Sequence, residues 1–161
     1  MYPHLCHLKG ITPMGACRLC IVEVEKHGRT KVAASCTLEA EEGMIVHAHT
    51  VKILKARKNI AEMLVAEAPN SRAIQDMAVR CGVKKVRYSF RREKCVLCGR
   101  CVRACSEMWR SKSLGFVGRG AERHVALPFE ERPDYCKKCN ACIDLCPMTI
   151  TPCPGPMKEG K

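Results

Sequence analysis

Cysteine stands at Cys95, Cys98, Cys101 and Cys105, and again at Cys136, Cys139, Cys142 and Cys146, the last followed by Pro147. Both runs read C-x2-C-x2-C-x3-C, and eight thiols crowded this way leave little room for an ordinary apolar core. Three thiolates at two-residue gaps wrap one face of a cubane [4Fe-4S] cluster, whereas the fourth lies a helical turn further on and points towards a second cube. The ligands are therefore expected to cross. Cys95, Cys98, Cys101 and Cys146 form one set, and Cys136, Cys139, Cys142 and Cys105 the other. Structural zinc is the rival reading, but zinc closes a tetrahedron with two separated C-x2-C pairs, and four close cysteines overfill it.

The chain has 161 residues, 14 of them cysteine and only 4% aromatic, which favours small lobes held by metal over a sandwich or barrel. No basic-then-apolar leader opens it, and the cysteine spacings are those of cluster ligands. A reducing cytoplasm is expected rather than a secreted disulfide framework. No apolar run has the length of a membrane span. The formal charge of +12 counts every cysteine as a neutral thiol. Twelve thiolates on three oxidised clusters bring it to about +6. Much of the Lys and Arg excess then offsets anionic clusters and eases their reduction. A nucleic-acid face is disfavoured, because the basic residues are scattered among the ligands and stacking aromatics are few.

A third set is Cys6, Cys17, Cys20 and Cys36, one close pair between two distant ligands. That layout suits a [2Fe-2S] rhomb held by the loop of Cys17 and Cys20. Gly10, Gly15 and Ala16 let the backbone come close and aim N–H groups at the inorganic sulfides. Ile21 to Glu25 alternates like a strand, His27-Gly28 reads as a turn, Lys31 to Ser35 as the returning strand, and Met44 to His47 as a further one. Zinc is again the alternative.

Cys6-His7-Leu8-Lys9-Gly10, Gly15-Ala16-Cys17-Arg18-Leu19-Cys20-Ile21-Val22-Glu23-Val24 and Ser35-Cys36 resemble the N-terminal [2Fe-2S] domain shared by several redox proteins. These are the large iron-sulfur subunit of respiratory complex I, the diaphorase iron-sulfur subunit of NAD-linked bidirectional hydrogenase, and the electron-input domains of [FeFe]-hydrogenase and NAD-linked formate dehydrogenase. The resemblance extends over nearly the whole chain, including the Gly118-Arg119-Gly120 loop. It implies an α+β protein with a partial β-grasp [2Fe-2S] ferredoxin domain at 1–49, a helical connector at 50–93, and a bacterial-type 2x[4Fe-4S] ferredoxin domain with a short β insertion at 94–161. Two departures stand out. Only five residues precede Cys6, so the β-grasp hairpin of relatives is missing as written, and a partner or an upstream segment is expected to complete it. Many members of the resembled family also carry a His and three Cys for another [4Fe-4S] cluster, whereas Ala68 to Gly82 contains no His and only Cys81.

Thr50 is the expected N-cap of a helix over Val51 to Glu67, with Val51, Leu54, Ile60, Met63 and Leu64 as its apolar stripe. Lys52, Lys55, Arg57 and Lys58 make its solvated face. Pro69 ends it, Ser71 caps a second helix to about Cys81, and Gly82 suits the exit. The stripe is read as a seam between the cluster lobes. Leu114 to Val117 and His124 to Leu127 read as two strands of an insertion that separates or shields the [4Fe-4S] sites. Its glycine loop lacks the strand-turn-helix setting of a dinucleotide site. Trp109 is expected over a cluster. Cys81 and Cys153 are left as free buried thiols, and His4, His7, His27, His47, His49 and His124 are unassigned, with His7 the one to inspect for a bond to sulfur.

No nucleophile-base pair or phosphate cradle is visible. The expected role is single-electron transfer within a cytoplasmic, anaerobic oxidoreductase complex, with no substrate chemistry by the chain alone. The resemblance implies a flavin-containing, NAD(P)-linked subunit on one side and a catalytic subunit of hydrogenase or formate dehydrogenase type on the other. A free-standing ferredoxin is the alternative, and a zinc-binding nucleic-acid module a more distant one.

Overall fold

Alternation along Ile21–Lys26 (β1) and the pair His27-Gly28 fold the chain back on itself before the first helix begins. Both turn residues have positive φ, 48° and 71°, the two-residue turn whose twist matches that of paired strands. Strand β2, Arg29–Ala34, returns antiparallel with Ile21 opposite Ala34 and Lys26 opposite Arg29. Ile45–His47 (β3) pairs along the other edge of β1, giving the order β2-β1-β3. Val22 and Val24 are buried beneath this sheet with Ala48, against Leu38 and Met44. The computed structural model describes residues 2–89, 95–131, 133–137 and 139–148.

Thr50 caps α1, Val51–Glu67, by accepting the Ile53 N–H at 3.3 Å, and its hydroxyl donates to Glu23 at 2.6 Å. Ser71 caps α2, Arg72–Arg80. Both helices lie where the sequence puts them, but the apolar stripe on α1 needs correction. Val51 is 84% exposed and Leu54 and Met63 are each 48% exposed. Ile60 and Leu64 are only partly buried, packed at the margin of the core. The face turned inward carries Ile53, Arg57, Ala61, Glu62 and Ala66. Small alanines allow close helix approach there, and each buried charge has found a distant partner.

Arg57, expected in solvent, is 4% exposed and donates from Nη2 to the Ile21 carbonyl at 2.6 Å. Glu62 is equally enclosed and receives the Arg87 guanidinium at 2.8–3.0 Å together with the Arg87 backbone N–H. These hydrogen bonds hold the Glu62 carboxyl below its usual range. A polar side chain is tolerated inside only when so paired, which is why apolar periodicity alone misjudged the face.

The remaining elements are short. Helix α3, Arg100–Glu107, precedes a two-stranded ladder of β4, Gly115–Val117, and β5, His124–Ala126, in which Phe116 faces Val125. Two single turns follow, α4 over Asp134–Lys137 and α5 over Ala141–Asp144. The architecture is thus α+β, with two small antiparallel sheets beside helices. One apolar cluster joins Leu5, Cys6, Cys17 and Leu19 to Ala61, Ala68, Ile74 and Ala78 of the connecting segment and to Cys98 and Met148. A second gathers Cys101, Leu114, Val125 and Leu127, with Cys95, Cys105 and Cys142 packed against it. Cysteines are therefore core residues. Among the described residues, no helix is long and apolar enough to cross a membrane.

Candidate electron-transfer centre

The loop before β1 and the turn after β2 bring Cys6, Cys17, Cys20 and Cys36 together, the first three buried and Cys36 partly so. Their sulfurs associate in two pairs. The Cys17 thiol hydrogen-bonds Cys6, and with the N–H groups of Cys17 and Ala16 this pulls Cys6 down to about 6 against the opposing effect of burial. Cys17 is pushed up by the same thiol contact and by burial. Cys20 hydrogen-bonds Cys36, whose thiol burial pushes up further. Backbone donors converge on these sulfurs: Cys17 N–H on Cys6 Sγ and Leu5 N–H on Cys17 Sγ, both at 3.4 Å, and Gly15 N–H on Cys36. The small residues of the loop thus point N–H groups at sulfur, which favours the thiolate form.

Cys95, Cys98, Cys101 and Cys146 form the second group. Burial raises the first three thiols, Cys101 to about 12, and Cys146 adds to the rise of each. Cys146 reaches this site because the Ser71 hydroxyl donates to the adjacent Pro147 carbonyl at 2.7 Å while its oxygen caps α2. Sequence reasoning found Ser71 as a cap only. Cys105, Cys136, Cys139 and Cys142 instead line a separate cavity with Trp109, Ser111, Leu114, Asn140 and Ala141. Cys105 Sγ lies 3.1 Å from Ser111 Oγ. Trp109 borders this cavity and is 43% exposed, and Cys139 is exposed as well.

One face of α3 grips the N-terminal loop. Arg100 donates to His7 O at 3.3 Å, Arg103 donates to Cys6 O and Thr12 O, and Glu107 accepts the Thr12 N–H at 2.6 Å. At the helix entrance Gly99 has φ 71°, and a Cβ there would stand 3.0 Å from Met14 Sδ and 3.3 Å from Phe116. The left-handed backbone favours glycine there, and any side chain would crowd Met14 and Phe116. These contacts escaped the sequence reading, whose only signal was an i, i+3, i+7 series of charged residues around the cysteines.

The leftover residues take humbler places. His7 Nδ1 is buried without a hydrogen-bond partner among the described residues, so no bond from it to sulfur is seen. His47 is exposed, 3.7 Å from Glu25, and His49 stacks on Tyr2. Cys81 is half-buried and lines a cavity of about 510 Å³ with His4, His49, Arg57 and Arg80. Cys153 lies outside the described residues.

Among the described residues, no three Cys, His, Asp or Glu side chains converge as a single metal ion requires. A tetrahedral zinc draws its sulfurs to about 2.3 Å from one point. A cluster brings its own irons and sulfides, so its ligands sit apart, each on its own metal corner. Cysteines gathered in fours, from buried Cys6 and Cys101 to exposed Cys139 and met in the first two groups by backbone N–H groups, fit that second case. Residues 1–51 match the family described as a 2Fe-2S iron-sulfur cluster binding domain, and residues 86–150 match the NADH-quinone oxidoreductase subunit 3 ferredoxin-like domain. The chain is an iron-sulfur protein with two ferredoxin-like domains.

This iron-sulfur protein is similar to an NADH-quinone oxidoreductase subunit of Rhizobium meliloti (strain 1021), 28% identical over 173 residues, covering 91% of the chain and 20% of the relative. It is also similar to the NADP-reducing hydrogenase subunit HndD of Solidesulfovibrio fructosivorans, 29% identical over 177 residues, covering 90% of the chain and 30% of the relative. A crystal structure of NAD+-reducing [NiFe]-hydrogenase in the H2-reduced state superposes with a TM-score of 0.66 at 30% identity, over 79% of this chain and 63% of that one. The chain thus spans 20–30% of the length of these two curated relatives.

Proposed function

We propose that the chain is the electron-relay part of a cytoplasmic oxidoreductase complex, passing single electrons between a flavin-bearing, NAD(P)-linked subunit and a second catalytic subunit of hydrogenase or formate dehydrogenase type. Cys6, Cys17, Cys20 and Cys36 hold a [2Fe-2S] cluster in this reading. Cys95, Cys98, Cys101 and Cys146 hold one [4Fe-4S] cluster, and Cys105, Cys136, Cys139 and Cys142 the other. The observation that carries it is the gathering of cysteines into three groups of four around one helix, α3, which bears Cys101 and Cys105 and grips the Cys6 loop. The pairing of Cys6 with Cys17 and of Cys20 with Cys36 supports the rhomb, in which each of two irons takes two thiolates.

Each cluster, when bound, supplies a one-electron redox level, whereas a flavin takes a hydride's two electrons together; a relay joins the two chemistries. The cysteines hold the metal, the backbone N–H groups ease the negative charge on sulfur, and the packing around buried Cys6, Cys17, Cys98 and Cys101 limits water there. The segment Ala68 to Gly82, which in relatives bears a further cluster, here places Ile74 and Ala78 in the shared core. The partial β-grasp fold and the divisions 1–49, 50–93 and 94–161 belong to the same proposal.

Reductive titration of the anaerobically purified chain tests it. Dithionite is expected to deliver about three electrons per chain, one per cluster, and a soluble one-electron acceptor to remove them again. Uptake of no electrons by metal-loaded protein contradicts the relay.

A further inference from the structure

We propose that Arg103 is a positioning residue for electron transfer between the Cys6 site and the Cys101 site, and that its fixed charge sets the potentials of both. The inference rests on the cluster assignment above and adds a role that cysteine spacing does not contain. Arg103 is 9% exposed, on α3 between Cys101 and Cys105. Its Nη1 donates to Thr12 O and its Nη2 to Cys6 O, 97 residues away, so one planar fork ties the backbone of the first ligand of one site to the helix that carries ligands of the others. Arg100 and Glu107 hold the same loop from either side along the same helix face.

The charge is what needs explaining. The described ion pairs do not include Arg103, both of its bonded nitrogens are spent on neutral carbonyls, and its Nε is buried without a partner. A buried guanidinium without a counter-anion is strongly disfavoured. Glu107 is exposed, and its carboxylate is taken by the Thr12 N–H. Among the described residues, the anions left to answer Arg103 are the proposed thiolate-ligated sites, that of Cys6, whose carbonyl it binds, and, across α3, that of Cys101. A fixed cation beside them stabilises the extra electron on either, because reduction makes each site more negative. A lysine offers the charge but only a point donor, and it cannot span two carbonyls with a rigid fork.

The step at issue moves one electron: the donor site is oxidised by one and the acceptor reduced by one, and no bond is made or broken. Arg103→Gln and Arg103→Lys are compared with the wild-type chain by iron content, by redox titration followed through the paramagnetic signals, and by the magnetic splitting between the [2Fe-2S] and neighbouring [4Fe-4S] centres. At full iron content, Arg103→Gln is expected to shift both midpoint potentials to more negative values and to weaken the splitting. Arg103→Lys is expected to restore the potentials but not the splitting. Unchanged potentials and splitting in iron-replete Arg103→Gln overturn the inference while leaving the cluster assignment intact. If Arg103→Gln fails to retain iron, Arg103→Lys carries the test, and an undiminished splitting in it overturns the positioning role. A wild-type chain without iron defeats the underlying assignment instead.

Discussion

Anaerobic removal of iron with a strong chelator is expected to abolish the cooperative thermal transition of this protein. Cys6, Cys17 and Cys98 sit inside its largest apolar cluster and Cys101 inside the next, so the clusters fill space that apolar side chains fill elsewhere. With aromatic residues at 4% of the chain, little else can close those gaps. Structural metal in small domains contributes about 10–16 kcal/mol in the zinc-finger case, as much as the whole stability of about 5–15 kcal/mol of an ordinary domain. Near-ultraviolet circular dichroism and a thermal scan before and after chelation check this. A transition surviving within a few degrees contradicts it.

Acid acts in the same direction as the chelator. Burial holds the thiols of Cys95 and Cys98 above their ordinary 9.0 and takes Cys101 to about 12. A thiol must shed its proton to bind iron, so below about 12 each fall in pH favours the protonated, iron-free Cys101 over the ligated one. Iron is therefore lost as pH falls.

Replacing Cys105 with alanine is expected to remove about four iron atoms, those of the cluster proposed at Cys136, Cys139 and Cys142, and to leave the one proposed at Cys95, Cys98 and Cys101 in place. The reason is geometric. Cys105 follows Cys101 by one helical turn, yet its side chain lines the cavity of the second run. Cys146, remote in sequence, acts electrostatically on Cys95, Cys98 and Cys101. Cys146→Ala is expected to give the converse loss. Spectroscopic loss of only the first-run cluster in Cys105→Ala means that each run serves its own cube.

Local chemistry was readable and long-range pairing was not. The His27-Gly28 turn, the Thr50 and Ser71 caps and both connecting helices follow from residues within a few positions of one another. The presence of 2Fe-2S and ferredoxin-like domains was legible because ligand spacing is itself a local rule. The inward face of α1 was misjudged because Arg57 and Glu62 are buried against Ile21 and Arg87, 36 and 25 residues away. Arg103 was passed over for the same reason: a charge in a helix reads as solvated until its partner, here the Cys6 carbonyl, is known.

Iron and acid-labile sulfide, measured on the chain purified without air, test the central claim most directly. Two cubanes and one rhomb predict about ten of each per chain. Stoichiometric zinc with little iron contradicts it.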